Sequence, residues 1–192
     1  MHNSDKMSEK RFLKAKALYE QNRLDDALQI INEAISQDSK NLNLYHLRGR
    51  IFQELKKHQE AINDFKFVLQ YFPNDIDILL DLSFNLYEMN KYHQAIEIYD
   101  KIIQIKRNHL KAYYNKSLIL NELKEYEKAL STISKAFDLY PLEHDVLKLK
   151  AIILYNLNRF KESLECFERV LFFKPDDKIC KYYIELLNDI LK

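Results

Sequence analysis

The chain has 192 residues with 30 Lys and Arg against 29 Asp and Glu, 47% hydrophobic residues, 1 Gly, 3 Pro and no Trp. That much apolar material excludes a disordered chain. A single glycine excludes sandwiches, barrels and nucleotide-binding α/β folds, which need positive-φ turns or close approach of backbone to phosphate. A net charge of +1 with both signs interleaved excludes a general nucleic-acid binder, which needs a clustered cationic surplus.

In chain order, residues 1–7 read as a polar extension without the apolar stretch of a signal peptide. From residue 8 the sequence repeats every 34 residues, giving five repeats at 8–41, 42–75, 76–109, 110–143 and 144–177. Small residues keep the period at Ala15, Gly49, Ser83, Ser117 and Ala151, and again at Ala27, Ala61, Ala95, Ala129 and Ser163. Large apolar columns run beside them, for example Leu18, Phe52, Leu86, Leu120 and Leu154. The spacing predicts two amphipathic helices per repeat, crossing where a small residue on each lets the backbones approach. Between them lie polar turns at Asn22-Arg23, Lys56-Lys57, Asn90-Lys91, Lys124-Glu125 and Asn158-Arg159, too short for anything but antiparallel neighbours.

Pro73, Pro141 and Pro175 are expected to end second helices, with Asn74, Asp75, Asp176 and Asp177 offering caps for the helices that follow. Residues 178–192 predict one more helix, a lid whose stripe is Ile179, Tyr182, Tyr183, Leu186, Leu187 and Ile190. No segment has the roughly 20 apolar residues of a membrane span, so a soluble cytoplasmic protein is expected. Cys166 and Cys180 fit no metal spacing and read as ordinary reduced thiols. His58 and His93 fall in the turns between helices, where solvation is the simplest expectation.

This pattern resembles the tetratricopeptide repeat, and Tyr45, Gly49, Phe52, Ala61, Phe65 and Pro73 occupy its characteristic places in order. The chain departs from that pattern in lacking the usual Trp, and in placing Lys14, Arg48, Lys116 and Lys150 where Leu is commonest. Those stems are expected to lie on apolar surface with their charges in water. The resemblance implies an all-α, right-handed superhelical solenoid of antiparallel helix pairs with a capping helix.

It also implies that positions 2, 5, 9 and 12 of each first helix line a concave groove for a peptide or helix of a partner protein; these positions share one helix face. The candidate binding residues are Lys16, His46, Arg50, Leu80, Phe84, Tyr87, Lys111, Tyr114, Leu118 and Tyr155. Lys16, His46 and Arg50 would favour an acidic group, whereas the apolar and aromatic residues suit apolar anchors. For Leu80, Phe84 and Leu118 the alternative is packing between adjacent first helices. The Lys and Asn set with which some members of the family grip the carboxylate of chaperone tails is not reproduced in any register, and Asp81 would repel such a group.

No catalytic or metal-binding constellation is present among the six histidines and two cysteines, and no cofactor is expected. The function expected is a noncatalytic protein-interaction module, that is, an adaptor, co-chaperone or assembly factor. The alternatives are a self-assembling, homo-oligomeric scaffold and an accessory domain of a larger enzyme.

Overall fold

The same backbone device closes the first helix of every repeat. The computed structural model describes residues 2–192, with side chains from Met7 onward; Met1 and most side chains of the polar extension at 1–7 lie outside the described residues. Among the described residues there are eleven α-helices and no strand: α1 (His2–Glu20), α2 (Leu24–Gln37), α3 (Leu42–Glu54), α4 (His58–Leu69), α5 (Ile76–Glu88), α6 (Tyr92–Ile105), α7 (Leu110–Glu122), α8 (Tyr126–Leu139), α9 (His144–Asn156), α10 (Phe160–Phe173) and α11 (Lys178–Ile190).

Asn22, Lys56, Asn90, Lys124 and Asn158, one per repeat, adopt φ between 57° and 60°, the left-handed region. The next amide then bonds back five residues, as in Lys57 N to Phe52 O at 2.8 Å and Glu125 N to Leu120 O at 2.8 Å, which satisfies the last carbonyls of the helix. Asparagine tolerates this conformation because its short polar side chain can bond locally; lysine has no such compensation. Replacing Lys56 or Lys124 with Gly is therefore expected to raise stability by about 1 kcal/mol each, measured as a higher urea midpoint with an unchanged slope.

The N-terminal ends of the first helices are capped with the same period. Asn41, Asp75 and Asp177 accept backbone N–H groups at the starts of α3, α5 and α11, and the Nδ1 of His109 accepts from Ala112 at the start of α7. Glu143, at the corresponding place before α9, makes no such bond. As expected from their missing amide hydrogen, Pro73, Pro141 and Pro175 stand just beyond the ends of α4, α8 and α10.

The helices fall into two compact units, residues 1–98 and 99–192, each holding part of α6. In the first, α1 packs on α2 and α3 on α4, and α2–α3 and α4–α5 contacts join the hairpins. Its core includes Ala15, Ala27, Ile31, Leu44 and Ile51. At the crossing of α3 and α4 a β-carbon on Gly49 would come within 2.7 Å of the buried ring of Phe65, so the lone glycine is a packing residue. In the second unit α7 packs on α8 and α9 on α10, and α10 packs on α11. Here Ser163 occupies the small-residue column and its hydroxyl donates to the carbonyl of Ala151 at 2.8 Å, bonding the two helices where they cross.

Two of the basic residues at Leu-rich places do more than lie on apolar surface. The guanidinium of Arg48 donates two bonds of 2.8 Å to the buried carboxylate of Asp64 and a third of 3.0 Å to Asn32, and the bonds to Asp64 raise its pKa. Lys116 reaches Asp100 at 2.5 Å. Each tail finds its acid on a second helix, 16 residues away in sequence, which is why a search within one helix does not reveal the pair.

The lid is also seated differently from the expectation. Helix α11 buries Cys180 and Leu187 against Phe167 and Val170, with Tyr183 stacked on Phe167 at 4.8 Å. Ile179, Tyr182 and Ile190 stay exposed. The apolar stripe of α11 is wider than the face its packing neighbours cover, and the uncovered part points away from the core.

Candidate functional site

In the first unit the candidate residues come from α1, α3 and α5, whose side chains meet directly. The guanidinium of Arg50 sits 5.5 Å over the ring of Tyr19, and Nε2 of His46 lies 3.2 Å from a carboxylate oxygen of Asp81. Lys16 is exposed, with Glu20 one turn on at 4.0 Å. The cations read as a site for an acidic ligand thus have acidic or aromatic neighbours of their own. Asp81 could not be assigned to His46 from the sequence because the two lie on different helices.

Beneath them Asn85 is fully buried and saturated. Its Nδ2 donates to Gln53 Oε1 at 2.7 Å and to the carbonyl of Asp81 at 2.7 Å. Its Oδ1 therefore accepts, and His58 supplies the proton from Nδ1 at 2.9 Å. His58 is half-buried at the start of α4 and stitched to α5, contrary to the solvated place expected for it. Above this network Leu80 and Tyr87 are half-buried, Tyr87 against the ring of Tyr92 at 5.6 Å. Phe84 is 43% exposed.

The first unit also contains a recess of 370 Å³ lined by Glu9, Phe12, Leu13, Asp38, Asn41 and Asn43. Glu9, Phe12 and Asn43 occupy groove positions in the sequence register, but Asp38 and Asn41 belong to the α2–α3 connection, which the register does not cover.

In the second unit the candidates lie on α7 and α9. Lys111 is exposed, and Tyr114 and Leu118 are half-buried. Burial, followed by the nearby charge of Asp145, raises the pKa of the Tyr114 hydroxyl. Tyr155 packs on Phe160 at 5.7 Å and on Tyr183 of α11 at 5.2 Å. Lys148 bonds Asp177 at 3.0 Å and lies 3.6 Å from Asp145.

Helix α11 adds residues that the sequence reading had placed in the lid. Ile179, Tyr182, Leu186 and Asp189 stand 34 residues after Asp145, Lys148, Ile152 and Tyr155, so they hold the same four positions of a first helix. Tyr182 is 62% exposed and Ile179 48%. The 34-residue register contained this signal, but ending the repeat count at 177 hid it.

The two cysteines are free thiols, Cys166 half-buried and Cys180 buried. Burial, assisted by the Asp177 carboxylate, pushes the Cys180 thiol up to about 11, and burial likewise raises Cys166. A thiol so shifted is not a nucleophile at neutral pH. Among the described residues no three His, Cys, Asp or Glu side chains are grouped to hold a metal ion, and no helix is long and apolar enough to cross a membrane.

Residues 1–68 and 88–170 match the family model described as anaphase-promoting complex, cyclosome, subunit 3, and residues 53–118 match the model of the tetratricopeptide repeat. The chain belongs to the tetratricopeptide repeat family. Several solved tetratricopeptide repeat structures share its fold. A tetratricopeptide repeat protein from Parabacteroides merdae is 20% identical with a TM-score of 0.88, covering 97% of this chain and 74% of its own. YrrB, described as having an unusual peptide-binding site, is 18% identical with a TM-score of 0.75, covering 90% of this chain and 89% of its own. MamA from Desulfovibrio magneticus is 18% identical with a TM-score of 0.81, covering 90% of this chain and 97% of its own. No curated protein sequence matches the chain. At these identities the likeness speaks for the tetratricopeptide fold alone.

Proposed function

We propose that the protein is a noncatalytic interaction module of the cytoplasm, an adaptor, co-chaperone or assembly factor that holds a peptide or helical segment of another protein on its first-helix faces. The observation that carries this reading is Phe84. It stays 43% exposed while Asn85, its neighbour in sequence, is fully buried and saturated with hydrogen bonds. An aromatic ring held in water by a rigid platform is suited to anchoring an apolar side chain at low entropic cost. The accompanying candidates are Lys16, His46, Arg50, Leu80 and Tyr87 in the first unit and Lys111, Tyr114, Leu118 and Tyr155 in the second. The peptide-binding description of YrrB is in keeping with this role.

Phe84→Asp combined with Tyr114→Asp is expected to reduce crosslinked partner capture from the native cell at least tenfold, with helicity and thermal midpoint little changed. A variant that unfolds would place those side chains in the core instead. The exposed Ile179 and Tyr182 favour a second reading, a scaffold that assembles with copies of itself. Sedimentation across a concentration series separates the two.

A further inference from the structure

If the first-helix faces hold a partner, the charges of the first unit specify its chemistry. The 370 Å³ recess has a carboxylate on each of two elements, Glu9 from α1 and Asp38 from the end of α2, with Phe12 and Leu13 as apolar wall and Asn41 and Asn43 at the start of α3. Among the described residues Asp38 accepts the backbone N–H of Lys40, at 3.3 Å, and the guanidinium of Arg11 is committed to Gln37. No described basic side chain pairs with Glu9 or Asp38. The far edge of the same face has the same sign: Glu20, Glu54 and Glu88 end α1, α3 and α5, one per first helix, and all three are exposed. Of the cations between these edges, Lys16 lies 4.0 Å from Glu20, and His46 and Arg50 face Asp81 and Tyr19. An acidic segment would meet repulsion along both edges; a basic one would not.

We propose that this recess receives the side chain of a Lys or Arg of the partner protein, its stem laid on Phe12 and Leu13 and its charge shared by Glu9 and Asp38. The long basic side chains are those that combine an apolar stem with a terminal cation whose N–H groups a carboxylate accepts. The inference rests on the reading of the first-helix face as a partner surface and adds the chemistry that face selects.

The test is selection of a randomised twelve-residue peptide library, displayed on phage, against the full chain, with each selected peptide then titrated onto variants. The expected result is a Lys or Arg common to the selected peptides, whose affinity falls at least fivefold in Glu9→Gln with Asp38→Asn. The same paired variant should keep the urea midpoint of the parent, since both substitutions preserve shape. Peptides that lose affinity in Phe84→Asp but share no basic residue, or that bind the paired variant as tightly, overturn the recess and leave the face reading standing. Peptides that are indifferent to Phe84→Asp overturn the face reading, and selection of no peptide at all overturns both.

Discussion

Replacing Asp64 with Ala is expected to lower the stability of the folded chain by about 3 kcal/mol, the low end of the range for breaking a buried ion pair. Asp64 is only 6% exposed, and its two oxygens receive both bonds from the Arg48 guanidinium. Without that carboxylate the guanidinium keeps one bond to Asn32 and the rings of Tyr45 and Phe52, 5.2 and 5.7 Å from its centre, which cannot replace a full counter-charge. For a chain of this size the loss corresponds to a fall in thermal midpoint of roughly 6–12 °C. The decisive comparison is Arg48→Leu with Asp64→Val, which removes both charges and leaves an apolar side chain in each place. That double variant is expected to unfold within about 1 kcal/mol of the parent, because a buried pair and its apolar replacement are nearly equivalent. Urea unfolding followed by circular dichroism checks both results. A double variant as weak as Asp64→Ala would show that the stability resides in something other than the pair.

Asp177→Asn is expected to cost about 2 kcal/mol at pH 7, with the difference shrinking as the pH falls from 4 to 2. Burial alone would raise the Asp177 carboxyl, but the amide of Cys180 and the ammonium of Lys148 outweigh it and hold the group at about 2, below its ordinary 3.8. A carboxyl lowered on folding stabilises the native state wherever it is ionised in the unfolded chain, so its contribution is complete above pH 4 and vanishes on acidification toward 2. Asparagine keeps the oxygen that caps α11 through Ile179 N and Cys180 N, both at 3.0 Å, and loses the bond to Lys148. The variant thus isolates the charge from the cap. Urea midpoints of parent and variant at pH 7, 4 and 3 check the trend; a difference that did not narrow with acid would assign the loss to the cap.

The helix boundaries were legible in the sequence because each rests on a local rule repeated every 34 residues. A small residue at the crossing, a short polar turn, a cap and a proline all act within a few residues of one another. Even the prolines and Asp75 fall where the pattern predicts. What stayed hidden is what joins residues far apart in the chain. Arg48 and Asp64, His46 and Asp81, and Asn85 with His58 and Gln53 each bridge two helices, and periodicity says which faces meet without saying which polar groups pair. The acidic recess needs the α2–α3 connection to close it, so a register built on helix positions alone passes over Asp38 and Asn41. The exposed residues of α11 were missed for a different reason: an apolar stripe was equated with a covered one.

Because every first helix ends in a left-handed residue and four of five following ones begin on a side-chain cap, the joints of this chain are nearly interchangeable. Excising residues 42–75 would bring Asn41 to the start of α5 in place of Asp75, one accepting oxygen for another. Such a cassette could be lost or duplicated without rebuilding a single turn. The limit on that freedom is the amide of Asn85, which without His58 and Gln53 would keep only its bond to the Asp81 carbonyl. Length is therefore plastic at the backbone and fixed by one buried side chain.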